Sequence, residues 1–144
     1  MKRFSYFAYG SNMCEMQMSE RCQHAVAIGV ATLHGYEFMI NEQGVAGIIE
    51  KSDASVIGIL WKISEEDKES LDFFENADVT DGAYHRKKLA VITDGQSVDA
   101  LVYIARNTLQ GKPREGYLEK IVKAALDHGI DHDYVRHLET FSSK

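Results

Sequence analysis

Residues 4–12 read Phe-Ser-Tyr-Phe-Ala-Tyr-Gly-Ser-Asn, and their alternation decides the architecture. Phe4, Tyr6 and Ala8 fall on one side and Ser5, Phe7 and Tyr9 on the other, a period of two with large apolar side chains on both faces. Such a strand is buried on both sides, so it belongs inside a sheet that other elements cover. It stops at Tyr9-Gly10-Ser11-Asn12, where Gly10 permits a tight turn into the segment carrying Met13, Met16 and Met18. A strand-to-helix junction of this kind collects free backbone N–H groups, which attract carboxylates and developing oxyanions.

Working outward, four β-rich runs follow, around residues 25–33, 36–40, 45–50 and 56–63, separated by His34-Gly35, Gln43-Gly44 and Ser52-Asp53. They predict a meander of short strands. At Ser64 the period changes. Ser64 and Asp67, three places on, form an N-cap arrangement, and Leu71, Phe74 and Glu75 continue at helical spacing, which predicts a helix over 65–75. Two more strands, over 85–93 and 98–105, flank Asp94-Gly95, whose residues tolerate the positive φ of a hairpin turn. Tyr117, Leu118, Ile121, Val122, Ala125 and Leu126 then repeat at helical spacing, followed by Gly129 and a short helix near 132–138. Seven strands with one helix inserted and two trailing predict an α+β class: a small, mostly antiparallel β-barrel flanked by helices. Pro113 stands alone and no Gly/Ser tract or repeat divides the chain, so residues 1–144 are expected to form one domain.

Composition limits the function classes. With 144 residues and 44% apolar content the chain can bury a core. A net charge of −6 repels a phosphate backbone, so no nucleic acid partner is expected. Cys14 and Cys22 match neither a disulfide framework nor a paired zinc or thiol redox spacing, and a reducing cytoplasm suits them. The opening Met1-Lys2-Arg3 is not followed by an unbroken apolar stretch, and no segment reaches a spanning length. A soluble, cytoplasmic protein with no membrane partner is expected.

The residues offer two candidate sites. One is the Tyr9 to Asn12 turn, which by itself could be a plain turn and helix cap. The other is Glu75, which follows Phe73-Phe74 and has Leu71 rather than a lysine at i−4. Desolvation and the negative end of a helix both disfavour its ionisation, so its pKa should rise into the range useful for proton transfer. Glu65, Glu66, Asp67, Glu69 and Asp72 surround it in sequence, and a solvated surface acid is the plainer description of each. Other constellations are weaker. His128 and His132 are four apart, but Gly129 interrupts the helix that would align them, so no metal is expected. The cysteines read as packing residues. There is no G-x-S-x-G elbow, no Gly-Lys-Ser/Thr phosphate loop and no G-x-G-x-x-G after a strand.

Taken together, the motifs resemble a known family. Tyr6-Phe7-Ala8-Tyr9-Gly10-Ser11-Asn12-Met13 is similar to the opening signature of the gamma-glutamylcyclotransferase family, which includes gamma-glutamylamine and butirosin-biosynthesis branches. Gly58-Ile59-Leu60-Trp61 resembles its Gly-x-Leu/Val-Trp strand, and Leu71-Asp72-Phe73-Phe74-Glu75 its Leu-Asp-x-x-Glu helix end. Arg21-Cys22, Leu33-His34-Gly35-Tyr36, Tyr84-His85-Arg86 and the Tyr117 to Leu138 helices fall in family order, so the resemblance spans essentially the whole chain. Two positions depart from it. The glycine that commonly follows the glutamate is Asn76, and the 106–112 loop lacks an aromatic found in some members.

The resemblance implies a small β-barrel flanked by helices and an enzyme that needs no cofactor. Its substrate would be a small gamma-glutamyl amide or amino acid, converted to 5-oxoproline with release of the amine. Glu75 lands on the catalytic glutamate. Tyr6, Phe7, Ala8, Tyr9, Gly10, Ser11 and Asn12 would hold the glutamyl carboxylate or oxyanion, chiefly through backbone N–H groups. Tyr84 and Arg86 would add a hydroxyl and a positive charge, although the residues themselves read as a strand aromatic and a surface arginine. A water-using hydrolase and a non-catalytic metabolite-binding module of the same fold are the alternatives. Exposed strand edges or the terminal helices could support a homodimer, and the sequence presents no patch large enough to fix the oligomeric state.

Overall fold

The computed structural model describes residues 3–75 and 83–142. Strand β1 (Arg3–Ala8) leads through a short 3₁₀ turn (Ser11–Met13) into helix α1 (Glu15–Arg21). Strands β2 (Val26–Ile40) and β3 (Ala46–Ser64) follow, then helix α2 (Glu65–Glu75), strands β4 (Tyr84–Thr93) and β5 (Gln96–Ala105), and helices α3 (Tyr117–Asp127) and α4 (His132–Glu139). The five strands close into a barrel in the order β1-β3-β2-β4-β5. Every neighbouring pair is antiparallel except β1 and β5, which meet in parallel at Tyr6 and Leu101.

Five strands stand where the sequence predicts seven, and the reason lies in two irregularities. The 25–33 and 36–40 runs are one strand, β2, because Gly35 at φ +85 makes a bulge in it rather than a turn. The 45–50 and 56–63 runs are likewise one strand, β3. His34 faces Ser55 and Tyr36 faces Glu50, so residues 51–54 stand opposite the single Gly35 and bulge outward without ending the strand. Two long bent strands close a barrel more readily than four short ones, since each bulge adds the curvature that closure needs. The turns at Gly44 (φ +80) and at Asp94-Gly95 (φ 48 and 74) are true hairpin turns.

The core holds Phe7, Phe38, Ile48, Val56, Ile59, Val91 and Val102, all buried. On β1, Tyr6, Phe7 and Ala8 are all buried, as the double-sided alternation requires. Backbone closeness fixes one sequence position outright. A Cβ on Gly58 would lie 2.2 Å from the Ala8 carbonyl oxygen, so β3 can approach β1 there only without a side chain. Outside the barrel, α3 buries Leu118, Ile121, Ala124 and Ala125 and packs on the 3₁₀ turn and α4. Helix α2 lies against β1, β3 and β4.

Candidate active site

Glu75 is placed by events eleven residues upstream. At the start of α2 the Ser64 N–H donates to Asp67 Oδ2 at 3.0 Å while the Asp67 N–H donates to Ser64 Oγ at 3.1 Å, the reciprocal box that the Ser-x-x-Asp spacing predicts. Asp67 is buried, and its second oxygen accepts the His24 N–H at 3.3 Å, tying α2 to the segment after α1. Leu71, one turn before the end, is fully buried. A helix pinned at its start and middle must deliver its last residue to a fixed place, and Glu75 reaches the wall of a cavity of about 440 Å³ at the barrel mouth.

Burial pushes the Glu75 carboxyl up from 4.5 to about 7, while the Arg21 guanidinium pulls it the other way. The desolvation does not come from both flanking aromatics. Phe73 is 78% exposed, whereas Phe74 lines the cavity and lies under Arg21, whose guanidinium carbon sits 4.7 Å from the ring centre. The pocket itself therefore withholds water from Glu75.

The 3₁₀ turn that follows β1 lines the same cavity. Its internal bonds run from the Met13 N–H to the Gly10 carbonyl (3.1 Å) and from the Cys14 N–H to the Ser11 carbonyl (3.0 Å), so the first N–H groups find no acceptor within the turn. The Ser11 N–H and hydroxyl approach the Tyr117 hydroxyl, which also accepts the Ala46 N–H at 3.0 Å. Gly10 allows this closeness. A Cβ there would lie 3.1 Å from the Ala46 Cβ and 3.4 Å from the Tyr117 hydroxyl.

Phenols furnish much of the remaining wall. Burial raises Tyr6, Tyr9, Tyr84 and Tyr117, and Glu75 adds to the rise in each, so all four are neutral donors or acceptors around one carboxyl. Tyr84 donates to the Ala46 carbonyl at 2.9 Å and Tyr9 to the Tyr103 carbonyl at 2.6 Å. Tyr103, also on the wall, donates to Asp72 Oδ1 at 2.5 Å.

The structure brings Glu75 together with Tyr6, Phe7, Tyr9, Gly10, Ser11, Asn12 and Tyr84 on this cavity. Ala8 is buried and off the wall, and Arg86 turns its guanidinium to Asp72 rather than to the cavity. Asn76 lies outside the described residues. In the 106–112 loop Gly111 donates its N–H to the Ile40 carbonyl, and a Cβ there would stand 2.4 Å from the Asn41 carbonyl oxygen. Sequence reasoning missed Tyr103 and Tyr117, and the polar rim of Gln17, Arg21, Arg114 and Lys120. Only Tyr117 carried a signal, as a polar-tipped aromatic at the start of an otherwise apolar helix face. Elsewhere, His128 Nε2 donates to the Met13 carbonyl at 2.8 Å, and burial followed by the nearby Asp67 pushes the Cys22 thiol up to about 12.

Comparison with known proteins bears on this geometry. A family model described as gamma-glutamyl cyclotransferase, AIG2-like, matches residues 6–121. The gamma-glutamylcyclotransferase of Bos taurus is 29% identical over 148 residues, covering 95% of this chain and 78% of the relative, and that of Mus musculus is 27% identical over 147 residues, covering 94% and 77%. A solved gamma-glutamyl cyclotransferase structure superposes with a TM-score of 0.90 at 26% identity, over 99% of this chain and 90% of the other.

Proposed function

The chain belongs to the gamma-glutamyl cyclotransferase, AIG2-like family, and from that premise we propose that it converts a small gamma-glutamyl amide or gamma-glutamyl amino acid to 5-oxoproline and a free amine. The substrate carries its own nucleophile, the α-amine, and its own electrophile, the γ-carbonyl. The first task is therefore to bend a flexible chain into a five-membered ring, and holding the reacting atoms in place is worth up to about 7–11 kcal/mol. The second is to move a proton. An α-ammonium cannot attack, so a base removes a proton from it, and the leaving nitrogen must gain one as its bond to carbon breaks.

Glu75 performs both transfers. The observation that carries the reading is this carboxyl, raised to about 7, lining the same cavity as the Tyr9 to Asn12 turn. Near neutral pH it is present in both forms, as a group that takes and returns one proton should be. The turn's leading N–H groups hold the negative oxygens of the glutamyl unit, and Tyr84 shapes the wall beside them. Arg86 stays with Asp72 and has no part in binding.

The test is a panel of gamma-glutamyl amides and dipeptides with both 5-oxoproline and glutamate measured. Cyclisation yields 5-oxoproline together with the free amine. Glutamate in its place makes water the nucleophile and refutes the mechanism, and tight binding without product refutes catalysis.

A further inference from the structure

Five phenols on the cavity wall differ in where their protons go, and one of them, Tyr117, accepts the Ala46 N–H at 3.0 Å on the Gly10 side. A tyrosine hydroxyl has one proton to give and lone pairs to receive with. Tyr9 gives its proton to the Tyr103 carbonyl, Tyr84 to the Ala46 carbonyl and Tyr103 to Asp72 Oδ1. Tyr6 does the reverse, since it accepts from Asn12 Nδ2 at 2.9 Å.

The direction of that bond is forced from outside. A guanidinium can only donate, and Arg21 Nη1 lies 3.1 Å from the Asn12 amide oxygen. Asn12 must therefore turn its oxygen toward Arg21 and its NH₂ toward Tyr6. A second cation holds the same orientation. Lys120, also a pure donor, meets Gln17 Oε1, so Gln17 turns its Nε2 to Asn12 Oδ1 at 2.8 Å. Asn12 is buried and cannot exchange these partners for water. Tyr6 thus has a lone pair occupied, and among the described residues its O–H donates no hydrogen bond. Its proton is left to the cavity that Glu75 also faces.

We propose that Tyr6 donates a hydrogen bond to the substrate's γ-carbonyl oxygen as ring closure turns it into an oxyanion, and that Asn12, oriented by Arg21, is the positioning residue that keeps Tyr6 a donor. The step rests on the cyclotransferase reading above. The α-amine lone pair forms the new C–N bond and the carbonyl π pair moves onto oxygen, where Tyr6 stabilises it while retaining its own proton. The pair then returns and the bond to the leaving nitrogen breaks; of the two protons the α-nitrogen sheds between ammonium and lactam, Glu75 passes one to that leaving nitrogen and the other goes to solvent. Burial, first, and the adjacent Glu75 raise the Tyr6 pKa, so the phenol remains protonated throughout.

The experiment uses the full chain with a gamma-glutamyl amide turned over by the wild type, and reads kcat, KM and thermal unfolding for Tyr6→Phe, Asn12→Asp and the double variant. Tyr6→Phe should lower kcat about 100-fold with KM within a few-fold, the scale of one lost oxyanion donor. Asn12→Asp keeps the side-chain shape but offers Tyr6 an acceptor, so the phenol's proton turns away from substrate and kcat falls comparably. The double variant should fall no further than Tyr6→Phe alone. A Tyr6→Phe enzyme within twofold of wild-type kcat, or changed only in KM, overturns the donor. A double loss equal to the product of the single losses overturns the positioning role. If Asn12→Asp does not fold, the kcat and KM of Tyr6→Phe decide the donor, and Asn12→Ser, which cannot fix a donor toward Tyr6, decides the positioning by the same non-additivity. A wild type that makes no 5-oxoproline from any member of the panel removes the cyclotransferase reading and this step with it, whereas an active wild type beside an equally active Tyr6→Phe removes the step alone.

Discussion

Glu75→Gln should abolish turnover and at the same time stabilise the protein, by an amount that grows from about pH 4.5 and is complete above about pH 7. The carboxyl moves from 4.5 in the unfolded chain to about 7 in the fold. Between those values the folded protein keeps the proton and the unfolded chain releases it, so the contribution of Glu75 to stability falls as pH rises through that window and stays low above it. At about 1.4 kcal/mol for each tenfold change, wild type forgoes up to about 3 kcal/mol at pH 8, and nearer 2 once solvent entering the open cavity screens the charge. Glutamine has the shape of the protonated acid and nothing to titrate. The variant should therefore match wild type near pH 4.5 and exceed it by about 2–3 kcal/mol at pH 8, a rise of roughly 4–10 °C in midpoint for a chain of this length. Urea or thermal unfolding of both proteins at the two pH values measures the difference, in which all other titrating groups cancel. Turnover should fall at least about 100-fold, and the wild-type kcat/KM should have an acid limb near pH 7. A variant no more stable than wild type at pH 8 would show that Glu75 is not desolvated, and the assignment of the proton transfers would lose its physical basis.

Three further outcomes test the framework around the site. Arg86→Met should leave KM within about twofold, because the guanidinium serves Asp72 and not the cavity, and the loss of this partly exposed pair should cost at most about 1 kcal/mol by urea unfolding. Asp67→Ala strips acceptors from the Ser64 and His24 N–H groups and should cost about 1–3 kcal/mol, with a fall in kcat as the far end of α2 loses its anchor. Gly58→Ala forces a methyl against the Ala8 carbonyl and should cost about 1–3 kcal/mol or more, read as a lowered urea midpoint.

Local chemistry was legible in the sequence wherever it depended on neighbours a few residues apart. The Ser64–Asp67 box, the Asp94-Gly95 turn, the double-sided alternation of β1 and the amphipathic α3 all follow from spacing, and each forms as its spacing predicts. What spacing could not convey was whether a break in pattern ends a strand or bends it. His34-Gly35 and Ser52-Asp53 carry the same residue types as a turn. Only the partner strand, by setting His34 against Ser55 and Tyr36 against Glu50, makes them two sides of one bulge. The same limit applies to the site. Glu75 and the Tyr9 to Asn12 turn were singled out by local context, but Tyr103 on β5 and Tyr117 on α3 reach the cavity through barrel closure and helix packing, of which the polar tip of Tyr117 on its apolar helix face is the one local trace.

That division has a consequence for how the site is held. A carboxyl kept out of water destabilises the fold in its ionised form, so the structure must fix it by contacts that do not themselves neutralise it. A lysine one turn before Glu75 would have secured it and dropped its pKa together, and Leu71 stands at i−4 instead. The anchoring is displaced to the opposite end of the helix, where Asp67 takes two backbone N–H groups, and to Leu71, which fills a buried site without any charge. Arg21, the cation close enough to act on Glu75, is held to Asn12 and stacked on Phe74, so that it tempers the carboxyl without closing an ion pair on it. Mechanical positioning and electrostatic freedom are thus assigned to different residues. Strengthening the first through Asp67 or Leu71 should not shift the acid limb, whereas any change that frees Arg21 from Asn12 should lower it by letting the guanidinium settle on Glu75.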